Sequence, residues 1–148
     1  MFHPHTAGEV VASMSELSAT GGWINLQPGY DPDDAPAESP LFGLLAGRGA
    51  ALPVCTWKPH ERTRAGVEYV ALGVQHGAGS KVAALLAERG AEIPSTFTVL
   101  QDNPRHGLIL AAHPSDAHDS VLDWLLRAGE LLSPIPLTGD WRALVYRR

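Results

Sequence analysis

The chain has 148 residues, 45% apolar and 18% charged, with a formal net charge of −5. That length suits one domain, residues 1–148, able to bury a core without disulfides or a structural metal. The acidic balance disfavours nucleic acid and anionic membranes as partners. The lone Cys55 excludes an internal disulfide, and no apolar run approaches the roughly 20 residues that span a bilayer. A soluble cytoplasmic protein is the expectation, since no N-terminal segment joins basic residues to a long apolar run.

The first stretch, Met1–His5, places two histidines around a proline and reads as a terminus. Thr6 and Glu9 have the spacing of a capping box, and Val10, Val11, Met14 and Leu17 fall on one helical face. A helix is predicted from about Thr6 to Ala19, stopped by Gly21 and Gly22. Trp23–Gln27 reads as a short strand. Pro28–Pro40 mixes prolines and acids with almost nothing to bury, the composition of a loop. Ser39-Pro40 then opens a short apolar helix, Leu41 to Leu45, that stops at Gly47.

Leu52–Trp57 is predicted as an edge strand, because Pro53 cannot donate to a ladder, and Cys55 within it reads as a small buried side chain. The polar run Lys58–Arg64 reads as a hairpin connection to the strand Val67–Gln75. The glycine-rich turn Gly77-Ala78-Gly79-Ser80-Lys81 follows, with Ser80 as cap of a helix carrying Val82, Leu85 and Leu86 and stopping at Gly90. Phe97–Gln101 and Gly107–Ala112 are strands joined by a turn at Asn103–His106. Ser115 is expected to cap a last helix through Leu132, ended before Pro134, and Trp141–Tyr146 is the final strand.

From about residue 66 to 148 the order is strand, helix, strand, strand, helix, strand. This resembles the split βαβ or ferredoxin-like arrangement, a likeness of topology that carries no family motif. The fold expected is α+β: a ferredoxin-like βαββαβ unit over about 66–148, with residues 6–57 as an N-terminal helix and extra strands covering or extending its sheet. GLILAA and VEYVALGV are apolar on both faces, so the face away from the helices needs cover from that N-terminal segment or from a second copy of the chain.

Chemistry is sparse. The turn at Gly77–Lys81 lacks the full G-x-x-x-x-G-K-[ST] spacing of a nucleotide loop and suggests at most a general anion preference. If the strands before His76 and His113 are parallel neighbours, both histidines emerge at one sheet edge beside two helix starts. His76, Gly77, Gly79, Ser80, Lys81, His113, Ser115 and Asp116 would then surround a small anion or, less consistently, a metal. Base stacking on the sheet is disfavoured, since GLILAA has no aromatic residue. No cofactor is indicated. Two functions remain: a binding or assembly module, homo-oligomeric and without catalytic activity, or a small enzyme or anion- or metal-binding protein at the His76/His113 edge.

Overall fold

A computed structural model of the chain describes residues 1–34 and 52–148; the helix expected at Leu41–Leu45 lies outside them. The described elements are α1 (Gly8–Thr20), β1 (Gly22–Pro28), β2 (Val54–Arg62), β3 (Glu68–Gln75), α2 (Ala83–Glu88), β4 (Thr98–Asn103), β5 (Gly107–Ala112), α3 (His118–Leu131) and β6 (Trp141–Arg147). The strands form one six-stranded sheet in the order β4-β5-β3-β2-β1-β6. Every neighbouring pair is antiparallel. The architecture is α+β, with the N-terminal strands built into the sheet that the C-terminal strands share.

Two expectations change here. β3 and β5 are neighbours but antiparallel, with Val70 opposite Ala112 and Val74 opposite Leu108. The reason is topological: the crossover through α2 makes β3 and β4 parallel, and the hairpin-linked β5 fills the slot between them in the opposite sense. The ferredoxin-like order also does not hold for the whole of residues 66–148, because β6, the last strand of that unit, pairs with β1 outside it. The free edge of β3 is taken by β2 through a tight local hairpin, where Thr63 N–H donates to Val67 O and Gly66 N–H to Thr63 O, both at 2.9 Å. Closing a short loop costs less chain entropy than bringing β6 back from the far end of the sequence.

β2 is therefore an interior strand and not the expected edge. Pro53 precedes the strand and costs no ladder bond. Pro59 lies within it, at the irregular register between Lys58 and Glu61, where His60 adopts φ 64°, and proline is tolerated at such a bulge.

The pleat sends alternate side chains to opposite faces. Ile24, Leu26, Cys55, Trp57, Val70, Leu72, Val74, Leu108 and Leu110 are buried on one face, and all three helices lie against it. α1 contributes Val10, Met14 and Leu17 to the core, α2 contributes Leu86, and α3 contributes Val121, Leu122, Leu125 and Ala128. Gly129 lets α3 approach closely, because a Cβ there would lie 2.7 Å from the Trp141 ring and 3.0 Å from Cys55 Sγ. Cys55 Sγ–H donates to Leu125 O at 3.3 Å, and burial pushes its thiol up to about 12, which makes it the packing residue that the sequence suggests. Arg147 Nε donates to Glu16 Oε1 at 2.9 Å and ties β6 to α1; this guanidinium holds the Glu16 carboxyl below its ordinary range.

The helix ends differ from the sequence reading. α1 starts at Gly8 and has no side-chain cap. Thr6 instead accepts from His3 N–H at 3.2 Å in a 3-10 turn over Pro4–Thr6, and Phe2 bridges to Trp141 through paired backbone bonds of 2.7 Å. The N-terminus is thus fastened to β6. At α2 the cap is Asp102, whose Oδ1 accepts from Val82 N–H at 2.9 Å and Oδ2 from Ala83 N–H at 3.1 Å. Ser80 does not cap α2, and α3 likewise begins at His118 without a side-chain cap from Ser115.

Candidate functional site

The strand polarity decides the fate of the expected histidine edge. Because β3 and β5 run in opposite senses, His76 leaves β3 at the end of the sheet where β5 begins, and His113 leaves β5 at the other end. Seven residues of strand separate the two levels, about 20 Å. His76, Gly77, Gly79, Ser80 and Lys81 are gathered at one end, and His113, Ser115 and Asp116 at the other; the structure does not bring the two groups together.

Part of the polar capacity near each group is already used. At the first end, Asp102 occupies the leading N–H groups of α2. His76 is fully buried, and its Nδ1 accepts from Ala78 N–H at 3.3 Å, which leaves the proton on Nε2, an atom with no hydrogen-bond partner among the described residues. Desolvation lowers the His76 pKa from its ordinary value, with the Asp102 charge opposing, so the ring is neutral and not the cation an anion site calls for. Gly77, Ala78, Ser80, Leu85 and Arg89 line a shallow cleft of about 280 Å³ beside this turn, and Arg89 already donates to Leu131 O at 2.7 Å. At the second end, His113 N–H donates to Asp116 Oδ2 at 3.0 Å, and His113 Nδ1 lies 2.6 Å from Ser115 Oγ. These bonds close a turn. Among the described residues no three His, Cys, Asp or Glu side chains are grouped to hold a metal ion.

The more informative surface is the face of the sheet opposite the helices. Its residues follow from the register. One rung reads Thr98–Ala111–Ala71–Lys58 and continues through Trp23 to Tyr146; the next reads Gln101–Ile109–Gly73–Thr56–Asn25–Leu144. Among the described residues no helix lies over it. Trp23 and Tyr146 stack with ring centroids 4.9 Å apart and planes 12° apart, forming a raised plate at the β1–β6 side. Thr56 Oγ1–H donates to Asn25 Oδ1 at 3.0 Å, and Lys58 Nζ pairs with Glu61 at 2.6 Å, so the polar groups of the middle strands are largely satisfied within the face.

At the other side the surface is hollow. The register of β4 slips between Val99 and Gln101, a bulge that turns Leu100 out of the regular pleat. Leu100, Tyr69, Val67, Thr98, Ala111 and His113 line the resulting depression, about 260 Å³ in volume. Val67 is 62% exposed and Leu100 49%, so its walls are apolar and open to solvent.

Against known proteins, the chain matches no family model, no curated protein and no solved structure.

Of the residues that form this face, Trp23 falls in a run that the sequence marks only as a short strand. Ile109 and Ala111 were signalled indirectly, since GLILAA is apolar at both pleat positions. Leu100 was not signalled, because a bulge leaves no mark in a six-residue strand.

Proposed function

We propose that this chain is a binding and assembly module that associates with a second copy through the open face of its sheet, with no catalytic role. The observation that carries the reading is that face itself, where Trp23, Tyr146, Leu144, Ile109, Leu100 and Tyr69 lie opposite the helical layer. Six strands at about 4.8 Å spacing and about 20 Å of strand length give a footprint of roughly 500 Å² before side-chain relief is added. That is the order of one partner's share of a standard interface, about 800 Å² of accessible surface.

The sheet's edges favour the face as the contact. β6 is guarded by the Phe2 bridge to Trp141 and by Arg142 and Arg147, and β4 by its bulge; both are devices that discourage edge-to-edge pairing. Among the described residues the face has no such device at its apolar end. The rival reading, an enzyme or ion site between His76 and His113, loses its basis when the two residues stand at opposite ends of the strands.

Light scattering on the full chain tests the proposal. A dimer mass is expected, and Ile109→Lys, which sets a charge in the apolar part of the face, shifts the population to monomer without changing the circular dichroism spectrum. A monomer at every concentration, or a dimer indifferent to Ile109→Lys, counts against it.

A further inference from the structure

The open face has its relief arranged along single rungs, and this restricts how two copies can meet. On the rung Thr98–Ala111–Ala71–Lys58–Trp23–Tyr146 the low, hollow part belongs to β4 and β5 and the raised aromatic plate to β1 and β6. In the strand order β4-β5-β3-β2-β1-β6, β5 stands second from one edge and β1 second from the other. A two-fold axis along the strands, between β3 and β2, exchanges exactly those positions when one face is laid on another: β1 meets β5, β6 meets β4, and every rung meets its own copy. A two-fold axis across the strands sets plate against plate and hollow against hollow instead.

Resting on the assembly reading above, we propose that two copies pack open face to open face about the axis along the strands, each Trp23–Tyr146 stack entering the Leu100–Tyr69–Ala111 hollow of the other. The size of the hollow fits this occupant. At about 260 Å³ it falls below the roughly 300–1,000 Å³ of small-molecule clefts and has room for one large ring, that of Trp23 over Ala111, with Tyr146 beside it over Thr98 at the β4 edge. Ala111 keeps its floor low, and aromatic plates in apolar hollows are the contacts that dominate interface energies. Packing of this kind is isologous, so one contact is made twice, and two twisted sheets stack with aligned strands about 10 Å apart. The charges are compatible with it. Lys58 lies beside the axis, over Ala71 of the other copy and about one strand spacing from its own counterpart, but its ammonium is neutralised by Glu61 at 2.6 Å.

Cross-linking between singly substituted chains tests the axis. On the neighbouring rung Gln101 of β4 and Leu144 of β6 are at opposite ends, so the proposed axis places Leu144 of one copy over Gln101 of the other. Each residue stays roughly 24 Å from its own copy across five strand spacings. Full-length Gln101→Cys and Leu144→Cys are mixed and treated with a short bis-maleimide; Cys55, fully buried, does not compete. Abundant cross-linked dimer from the mixture and little from either variant alone is the expected result. Trp23→Ala, with an unchanged circular dichroism spectrum, is expected to weaken dimerisation by at least about tenfold. Cross-linking of Leu144→Cys with itself, or a dimer mass with no cross-link from the mixture, overturns this packing and leaves the assembly reading standing. A monomer mass for the unmodified chain overturns both.

Discussion

His76 is the residue whose surroundings are least forgiving. Its ring is wholly enclosed and accepts the Ala78 N–H through Nδ1 while its Nε2 proton has no partner among the described residues, and an unsatisfied buried donor costs about 1–3 kcal/mol. Burial lowers its pKa, with Asp102 acting the other way. The direction of the pH effect follows from proton linkage. Above the unfolded value of about 6.5 the ring is neutral in both states and pH changes nothing. Below it the unfolded chain takes up a proton that the folded chain refuses, so stability falls as pH falls, until the folded state's own lower pKa is reached. The urea midpoint is expected to drop between pH 7 and pH 5, and the drop should be smaller in His76→Gln, which keeps an acceptor for the Ala78 amide. An equal drop in both proteins would remove His76 as its source.

At the scale of elements, α3 is seated closely on the sheet. Gly129 makes it possible, with Trp141 and Cys55 occupying the space that a side chain would need. Gly129→Val is therefore expected to destabilise the protein by about 1–3 kcal/mol through overpacking, even though valine is more apolar, and a urea titration measures it. A stability at or above that of the parent would mean that α3 sits farther out than described. The elements themselves were largely legible: the apolar periodicity of α1 and α3, the strand-like runs, and the turn residues at Asn103–His106 each state a local preference, whereas the connection expected at Lys58–Arg64 lies mostly within β2, which runs to Arg62. What joins the elements was less so. Asp102 caps α2 from about twenty positions farther along the chain, and no local pattern at Ser80 or Ser115 announces that a distant carboxylate or no side chain at all will serve the helix. The polarity of β5 was missed for a similar reason. A run such as GLILAA carries the same burial signal in either direction, and only the slot left by the β3–α2–β4 crossover fixes its sense.

Among the described residues, the molecule is a layer of helices on one side of a sheet and an open surface on the other. Among the described residues no helix is long and apolar enough to cross a membrane. The N-terminal segment, expected either to cover or to extend the sheet, extends it with β1 and β2 and sends α1 to the face already occupied by α3. The candidate site could be read in the sequence only as a need for cover; the hollow at Leu100 and the plate at Trp23 and Tyr146 come from register and from a bulge, which are properties of paired strands. Amide and indole NMR spectra recorded over a dilution series test the central claim most directly. Signals of Trp23, Ala71, Ile109, Ala111 and Leu144 are expected to move together with concentration, while those of Glu9, Ser120 and Arg127 in the helical layer stay fixed. Spectra unchanged over the series in a chain that light scattering finds monomeric, or shifts confined to the helical layer, would contradict assembly through the open face.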